Sequence, residues 1–145
     1  MQFVFNLVII CTTVVLMECL SWAIHKYLFH GPLWFMHKSH HKHSKSFLEW
    51  NDVFALIFAV SSLYLMYIDR ENPSLRFSVG AGITIYGLIY FVVHDWFVHQ
   101  RIKPFKSKNS YLVRIRKAHK IHHKNMDKEK GRAFGLLFVN KEVLK

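Results

Sequence analysis

Three long apolar stretches constrain the fold of this chain more than any other feature of its sequence. Residues 2–24 contain one charged residue, Glu18, and residues 53–68 and 77–93 contain none. A helix needs about 20 apolar residues to cross a bilayer, with about 17 as the lower limit. The first stretch is therefore long enough, the third is borderline and the second is short. Each stretch has a tryptophan near one end, as in an aromatic belt at the headgroup level: Trp22, Trp50 and Trp96.

These stretches predict an all-α fold, an integral membrane helical bundle with about three long spans. A chain of 145 residues allows one domain, 1–145, and it is too short to cover three such helices inside a soluble bundle. The first stretch also lacks the basic region and the small-residue cleavage site of a signal peptide. We therefore expect spans at about 2–24, 53–68 and 77–93.

The distribution of charge predicts the orientation of this bundle. The sequence has 20 Lys and Arg against 9 Asp and Glu, a formal net charge of +11. Residues 25–52 and 94–145 hold 18 of the 20 basic residues, and the connection at 69–76 holds the other two. Cytoplasmic segments carry the excess of Lys and Arg in membrane proteins. We therefore expect residues 25–52 and 94–145 to form a helical cap on the cytoplasmic side.

Eleven histidines lie in this predicted cap, and ten of them form four regular blocks. Two blocks are pairs five residues apart, and two are trios of the pattern H-x2-H-H. The pairs are His25 with His30 and His94 with His99; the trios are His37, His40, His41 and His119, His122, His123. Only His43 is left over. Two blocks precede the second span and two follow the third, so all four face one side of the membrane and can converge.

The spacing of the blocks predicts how their rings are shared. In an α-helix the members of a trio lie at i, i+3 and i+4 on one face, so each trio can present several imidazoles to one point. The members of a pair lie about 140° apart and about 7.5 Å along the axis. We therefore expect each pair to place one ring on each of two neighbouring ions. The Gly31-Pro32 dipeptide predicts a helix end directly after His30.

Ten imidazoles are too many for one ion and suit two ions with about five ligands each. Neutral imidazole binds zinc, copper, iron and nickel. The alternative is a His-rich low-complexity tract, but membrane spans separate these blocks. Two cysteines, Cys11 and Cys19, cannot form a Cys-based zinc module, and no H-E-x-x-H motif supports a zinc protease. Two redox metals at a membrane surface predict oxygen chemistry on a lipid-soluble molecule, because side-chain acids and bases do not attack unactivated C–H bonds.

Several further motifs accompany the histidine blocks: Met17-Glu18, Glu49-Trp50-Asn51-Asp52, Tyr86-Gly87, Tyr90-Phe91, His94-Asp95, His99-Gln100-Arg101 and Phe134-Gly135. With these motifs, the chain resembles the bacterial β-carotene hydroxylases of the membrane fatty-acid hydroxylase superfamily. The histidine pattern alone is typical of the superfamily. The Tyr86-Gly87 and His99-Gln100-Arg101 runs, together with the short chain, favour the carotenoid branch.

This resemblance implies an O2-dependent monooxygenase in the bacterial cytoplasmic membrane. Members of the family use two non-haem iron ions, O2 and electrons from an external donor such as a ferredoxin. They hydroxylate C3 of the β-ionone rings of a carotenoid taken from the bilayer, giving zeaxanthin by way of cryptoxanthin. The resemblance also implies that the ten block histidines are the iron ligands, and it implies no further catalytic residue.

Several acidic side chains lie where they can support these ligands. Glu18 precedes His25 by seven residues and shares its helical face, so it either accepts an N–H bond from a ligand ring or faces a neighbouring helix or cavity. Asp95 adjoins His94 but points elsewhere on a helix, so we expect it to serve another ligand. Asp52 and Glu49, at the start of the second span, are either ligand-supporting acids or helix caps.

The source of electrons is not in the chain, because no flavin or nicotinamide fingerprint is present. The segment 102–130 is densely basic: Lys103, Lys106, Lys108, Arg114, Arg116, Lys117, Lys120, Lys124, Lys128 and Lys130. This surface fits an acidic electron-transfer protein or anionic membrane lipids, and we slightly favour the lipids. We expect no nucleic acid partner, because the basic segment adjoins a membrane span.

Two other functions share part of this pattern. A hydroxylase or desaturase of fatty acyl chains or sterols would use the same histidines and a different cavity. A metal transporter would need ionisable ligands within the spans, where only Glu18 qualifies.

Overall fold

The computed structural model describes residues 1–42, 48–102, 106–129 and 131–140, and within these ranges it contains helices and no strand. The five α-helices are α1 (Gln2–Ala23), α2 (Trp34–His41), α3 (Asp52–Ile68), α4 (Leu75–Tyr90) and α5 (Ser110–Lys124). The prediction of an all-α fold is therefore confirmed. His43, Lys45, Lys103 and Lys130, which the sequence places in the basic cap, lie outside the described residues.

Two of the helices continue into π-helical segments. The segment Ile24–Phe29 follows α1, and Phe91–Val98 follows α4. In a π-helix each N–H bonds to the carbonyl five residues earlier, and such segments are frequent at functional sites. The backbone N–H of His30 donates to the His25 carbonyl at 3.0 Å, and that of His99 donates to the His94 carbonyl at 2.9 Å. Each π-helical bond therefore joins the two members of a histidine pair.

The π-helical segments lengthen two of the predicted spans. With them, Gln2–Phe29 (28 residues) and Leu75–Val98 (24 residues) are long and apolar enough to cross a membrane. The third apolar helix, α3, has 17 residues and spans about 26 Å, less than the roughly 30 Å of a bilayer core. The expected number of three long spans is therefore wrong, because only two of the described helices have the required length.

α4 packs between α1 and α3 through small residues. A Cβ atom on Gly80 would lie 2.8 Å from the Ser62 carbonyl oxygen of α3, and one on Gly82 would lie 2.6 Å from Thr13 Cβ of α1. Such glycines let helices approach closely in a membrane. The Thr84 hydroxyl donates to Ser62 Oγ at 3.1 Å across the α3–α4 contact.

The helix directions bring both π-helical segments to one end of the bundle. Gly82 of α4 lies beside Thr13 of α1, and four residues later Tyr86 bonds to Glu18. α1 and α4 are therefore parallel, and each leads into its π-helical segment at the same end.

The short helices close that end as a cap. Phe97 and Val98 of the second π-helical segment form a buried cluster with Ile115, which attaches α5 to the bundle. Residues 131–140, which contain no helix or strand, return along the bundle to α1. We call residues 131–140 the C-terminal strap. Its backbone N–H groups at Leu136, Leu137 and Phe138 all donate to Glu18 Oε1.

Candidate metal centre

The ten block histidines converge in the cap, and eight of them form two clusters. In each cluster the four possible ligand nitrogens lie within 4.8 Å of one another. Cluster A contains His25, His30, His37 and His122; cluster B contains His40, His94, His99 and His119. In cluster A the Nε2 atom of His25 lies 3.1 Å from His37 Nε2 and 3.0 Å from His122 Nε2. In cluster B the Nε2 atoms of His99 and His119 are 2.8 Å apart.

The remaining two rings, His41 and His123, lie between the clusters. They stack on each other, with centroids 4.7 Å apart and planes 19° apart. The His41 ring also lies 4.7 Å from the His122 ring, and the His123 ring lies 4.5 Å from the His119 ring. Within the described part of the chain, the Nε2 atoms of both rings are buried and have no hydrogen-bond partner. A buried nitrogen without a partner needs an explanation, and a metal ion is one.

The prediction divided each histidine pair between two ions and assigned each trio to one ion, and the structure shows the reverse. Both members of the first pair belong to cluster A, and both members of the second pair belong to cluster B. The expectation of one ring on each ion assumed α-helical geometry. The π-helical bond between the members of each pair instead brings residues five apart onto nearly one face.

The trios, in contrast, are divided. In α2, His37 belongs to cluster A and His40 to cluster B; in α5, His122 belongs to A and His119 to B. The expectation that a trio serves one point is wrong, because α2 and α5 run past both clusters and each contributes one ring to either side. His41 and His123 complete the trios between the clusters.

Oxygen acceptors orient the rings of cluster A through their Nδ1 atoms. His25 Nδ1 donates to the Phe134 carbonyl at 2.9 Å, His30 Nδ1 to the Lys128 carbonyl at 3.0 Å and His122 Nδ1 to the Arg132 carbonyl at 2.7 Å. The fourth ring, His37, bonds to Asn51 Oδ1 at 3.1 Å. A carbonyl oxygen can only accept, so the proton of each neutral ring is on Nδ1 and the lone pair is on Nε2.

Carboxylates orient two rings of cluster B. His40 Nδ1 lies 2.6 Å from Glu49 Oε2, and His94 Nδ1 lies 2.8 Å from Asp95 Oδ1. Arg101 connects these acids, with Nη2 at 3.1 Å from Glu49 Oε2 and Nε at 3.7 Å from Asp95 Oδ1. Such partners of metal-binding histidines fix the tautomer and raise the basicity of the ring.

The four acidic residues that the sequence offers as supports for the ligands, Glu18, Glu49, Asp52 and Asp95, have different roles in the structure. Asp95 bonds to His94 itself, so the expectation that it serves another ring is wrong; the side chain folds back onto its own neighbour. Asp52 accepts two bonds from Arg101 Nη1, each at 3.0 Å, and one from the Glu49 backbone N–H at 2.9 Å. Its contacts with the ligand histidines are therefore indirect.

Glu18 corresponds to the second of its two alternatives, in which it faces a neighbouring helix. Its Oε2 atom accepts the Tyr86 hydroxyl at 2.9 Å, and its Oε1 atom accepts backbone N–H groups of the C-terminal strap. The side chain of Glu18 thus bonds to no ligand ring among the described contacts, and it reaches the centre only through the strap.

Several supporting groups were not predicted from the sequence. Arg101 was recognised only as part of a family motif, and the bond from His37 to Asn51 was not expected. The carbonyls of Lys128, Phe134 and Arg132 leave no signal in the sequence, because every residue has a carbonyl. Glu49, in contrast, was considered as an acid near the second block, and its contact with His40 corresponds to that alternative.

Burial keeps seven of the block histidine rings neutral. It lowers the pKa of His37, His122 and His123 to about 3 and the pKa of His41 to about 4. Burial likewise lowers the pKa of His40, His99 and His119. At neutral pH the rings are therefore in the uncharged form that binds a metal. Burial also raises the pKa of Glu49, although the neighbouring Arg101 opposes this change.

The arrangement of lone pairs fits a transition-metal ion in each cluster. With its proton on Nδ1, each ring of cluster A points its Nε2 lone pair at another Nε2 atom about 3 Å away, as His30 does to His122 at 3.2 Å. Facing lone pairs repel one another unless a cation lies between them. Adjacent imidazole nitrogens that each lie about 2.1 Å from one ion are themselves about 3 Å apart. The donor set of nitrogen ligands without cysteine suits iron, zinc or copper.

A cavity of about 390 Å³ connects this centre to the apolar helices. His25 and His37 of cluster A and His40, His94 and His119 of cluster B lie in its wall. The rest of the wall comes from α1, α3, α4 and the strap, including Phe54, Phe58 and Gly87. The cavity therefore presents an apolar space directly to both clusters, as expected for a site that binds an apolar molecule.

Comparison with known sequences assigns the chain to a family. The sequence model of the fatty acid hydroxylase family matches residues 10–141, so the chain belongs to this family. The chain is 41% identical over 141 residues to a protein of Pantoea ananas named beta-carotene hydroxylase, covering 96% of this chain and 80% of that one. No solved structure matches the chain.

Two further relatives carry similar names. A beta-carotene hydroxylase of Paracoccus sp. (strain N81106 / MBIC 01143) is 38% identical, over 92% of this chain and 84% of its own. The beta-carotene 3-hydroxylase 2, chloroplastic, of Arabidopsis thaliana is 43% identical, over 84% of this chain and 41% of its own. The predicted resemblance is therefore confirmed, and the chain is similar to hydroxylating oxidoreductases.

Proposed function

We propose that this chain is a β-carotene 3-hydroxylase that uses two non-haem iron ions, O2 and electrons from an external donor. It hydroxylates C3 of the β-ionone rings and gives zeaxanthin by way of cryptoxanthin. The observation that carries this proposal is the opening of both histidine clusters into one apolar cavity between the membrane-type helices. The names of the relatives support the substrate, and the family supports hydroxylation.

The ten block histidines would hold the two irons. Cluster A with His41 would bind one ion and cluster B with His123 the other, which corresponds to about five ligands each. Bound iron would supply the activation of O2 and the oxidation of a C–H bond, which no side chain of the chain can supply. α2 and α5 each contribute ligands to both clusters, so the two ions would be held in one rigid unit.

The chain itself binds and orients the substrate. Phe54 and Phe58 of α3 lie one helical turn apart in the cavity wall, and Met17 of α1 lines it as well. These walls are apolar, so they favour a hydrocarbon and exclude water from the centre. A ring that enters from the lipid between the helices would reach the histidine clusters without crossing the polar cap.

We also propose that the cap faces the cytoplasm. α1 and α4 are parallel and both enter the cap, and residues 25–52 and 94–145 carry 18 of the 20 basic residues. The outer surface of α1 is apolar and exposed, as at Val8 and Leu16, which suits contact with lipid. The apolar helices and the bacterial relatives are consistent with the cytoplasmic membrane of a bacterium.

The electron donor would be an acidic protein that docks on α5. Lys117, Lys120 and Lys124 are exposed and lie on one face of this helix, while His119 and His122 on the opposite side reach the two clusters. A donor on this face would be separated from the metal centre by a single helix. The same lysines also suit anionic lipid headgroups, and replacement of all three by glutamate distinguishes these roles. Loss of donor-dependent turnover that is equal in membranes with and without anionic lipid favours the protein.

A second candidate function is hydroxylation or desaturation of another membrane lipid, because the matching family is named for fatty acid hydroxylases. The histidine centre would be the same for both. A metal transporter has less support, because Glu18, the only acidic residue in the first span, is bonded to Tyr86 and to the strap.

Expression in bacterial cells that accumulate β-carotene tests the proposal. We expect cryptoxanthin and zeaxanthin in pigment chromatography, under oxygen and not without it, and about two irons per purified chain by metal analysis. Cells with the His40→Ala variant are the matched control and should keep β-carotene unchanged. Hydroxylated fatty acyl chains or sterols without xanthophylls would support the second candidate instead, and oxygen-independent metal uptake would support a transporter.

A further inference from the structure

Among the described contacts, the hydrogen bonds between the C-terminal strap and histidine rings are with cluster A. The Arg132 carbonyl accepts from His122 Nδ1 at 2.7 Å, and the Phe134 carbonyl accepts from His25 Nδ1 at 2.9 Å. The ring of Phe134 packs against cluster A as well, with its centroid 5.1 Å from that of His30. Ala133, between the two carbonyls, has a φ of 59°, a left-handed conformation that surrounding contacts must maintain.

Glu18 makes most of the described hydrogen bonds to residues 136–138 of the strap, and the Tyr111 hydroxyl of α5 donates one more, to the Leu137 carbonyl at 2.8 Å. The Oε1 atom of Glu18 accepts three backbone N–H groups, from Leu136 at 3.0 Å, Leu137 at 2.8 Å and Phe138 at 3.3 Å. Its Oε2 atom accepts the Tyr86 hydroxyl of α4 at 2.9 Å. Glu18 is only 3% exposed, and a buried carboxylate or backbone N–H group without a hydrogen-bond partner is costly. The carboxylate of Glu18 and the N–H groups of the strap therefore each need the other as a partner.

We propose that Glu18 is a positioning residue for cluster A. It holds the strap in place, the strap aims the Arg132 and Phe134 carbonyls, and these fix the Nδ1–H tautomers of His122 and His25. Cluster B is oriented by Glu49 and Asp95 and has no hydrogen bond to the strap among the described contacts. This inference rests on the function proposed above, under which each cluster holds one iron. Because the strap orients rings of cluster A, the loss expected after a change of Glu18 is confined to one of the two ions.

The Glu18→Leu and Glu18→Gln variants test this role by two measurements. For Glu18→Leu we expect about one iron per chain in place of two, and backbone amides 136–138 that exchange hydrogen at least about tenfold faster. Glu18→Gln should resemble the wild type, because its amide oxygen still accepts the three N–H groups and its NH2 group can donate to the Tyr86 oxygen. Cys19→Leu, the same substituent on the adjacent exposed position, is the matched control and should keep two irons.

A change in the strap itself separates this role from a general loss of folding. A Cβ atom on Gly135 would lie 2.7 Å from the Phe138 carbonyl oxygen, so Gly135→Val distorts the strap without altering α1. It should also reduce the iron content to about one per chain. Unchanged exchange at 136–138 in Glu18→Leu, or loss of both irons in either variant with the helix content retained, would overturn the proposal. If the wild-type chain binds no iron, the proposed function is wrong. Hydrogen exchange at 136–138 in the metal-free protein would still test whether Glu18 holds the strap.

Independently, the glycines of α4 differ in a way that concerns the substrate. A Cβ atom on Gly80 or Gly82 would collide with α3 or α1, but one on Gly87 would meet no described atom within 4 Å. Gly87 lies in the wall of the cavity, one helical turn before the end of α4. Glycine is unfavourable inside a helix, and close packing explains Gly80 and Gly82 but not Gly87. Gly87 is exposed, so the empty space beside it lies where the cavity opens between the helices.

From this difference we infer that Gly87 determines how wide an end group of a carotene the cavity can accept. This inference rests on the function proposed above. A ring is wider than an open-chain end, so a side chain at this position should reject ring-ended carotenes first. We expect Gly87→Leu to lower kcat/KM for β-carotene at least about tenfold, which is about 1.4 kcal/mol, with two irons per chain retained. Inhibition of the same variant by an open-chain carotene should change less than twofold.

Ile85→Leu, on the exposed side of α4, is the control and should leave turnover unchanged. Unchanged kcat/KM for β-carotene in Gly87→Leu, or an equal loss of affinity for ring-ended and open-chain carotenes, would overturn this inference. If the wild type has no activity on β-carotene, the proposed function is wrong. Comparison of the binding of ring-ended and open-chain carotenes would still test whether Gly87 sets the width of the cavity.

Discussion

Clusters A and B contain four imidazoles each, but different chemistry orients the rings in the two clusters. In cluster A the Nδ1 atoms bond to uncharged oxygens, three of them backbone carbonyls, whereas in cluster B two rings bond to carboxylates that Arg101 joins. A carboxylate partner makes an imidazole a stronger electron donor than a carbonyl partner does. We therefore expect cluster B to bind its ion more tightly and to favour the more oxidised metal.

The clusters also differ in which parts of the chain they require. The acids of cluster B lie within nine residues of their rings, as Glu49 does to His40, and Asp95 adjoins His94. Two of the three carbonyls of cluster A come from residues about a hundred positions away, Phe134 from His25 and Lys128 from His30, and the third, Arg132, lies ten positions after His122. Cluster A therefore depends on the folded C-terminal part of the chain, and cluster B depends on short local contacts and one arginine.

The largest expected effect is the loss of one ligand from either cluster. His40→Ala in cluster B and His122→Ala in cluster A should both abolish formation of xanthophylls, because hydroxylation would need both ions. Both variants should insert into the membrane at wild-type levels, as measured by fractionation. His43→Ala, which removes the histidine outside the four blocks, should retain activity. Turnover in His40→Ala would contradict the assignment of the ligands.

Loss of Arg101 should weaken metal binding in cluster B more than in cluster A. The guanidinium lies among Glu49, Asp52 and Asp95, and its side chain is 16% exposed. Arg101→Met would leave these acids close together without a cation, which costs about 3 kcal/mol in comparable buried pairs. We expect a lower melting temperature and loss of the ion in cluster B before that in cluster A. Arg76→Met removes the Asp69 ion pair at the opposite end of the bundle and is the control.

Removal of one carboxylate should weaken cluster B alone. Glu49→Gln keeps a hydrogen-bond acceptor for His40 but removes the negative charge. Loss of such a partner typically lowers metal affinity about 10- to 100-fold. Titration with a chelator should therefore remove one iron at a lower chelator concentration than in the wild type. Equal weakening of both ions would show that the clusters are not oriented independently.

The smallest expected effect comes from making cluster A resemble cluster B. Asn51 contacts His37 at 3.1 Å, and Asn51→Asp would place a carboxylate at the same position. We expect a modest gain in chelator resistance of the weaker ion, a few-fold at most. Asn51→Ala should have the opposite effect. A change in the tighter ion instead would reverse the order of affinity proposed for the clusters.

Much of the site was predictable because its information is local. The four histidine blocks and their presence in one cap follow from spacing and hydropathy, and the contact of Glu49 with His40 is one of the two alternatives that the sequence leaves open. The division of the rings did not follow, because it depends on backbone geometry. In an α-helix the two members of a histidine pair point in different directions, but the π-helical bonds at His25 and His94 turn both members of each pair towards one cluster. The length of α3 agrees with the expected 53–68 to within one residue, and the error was to count this short helix among three long spans, because an apolar pattern indicates burial in lipid but not that a helix crosses the bilayer.

The amino-acid sequence alone determined that this chain forms apolar helices and brings ten imidazoles to one side of them. Both properties arise from side-chain types at regular intervals, which a sequence records directly. Only the tertiary structure decided which rings share a cluster, that Glu18 bonds to the strap rather than to a histidine, and that Gly87 borders an empty space. These depend on backbone carbonyls, helix directions and distances between remote segments, and no residue type encodes any of them.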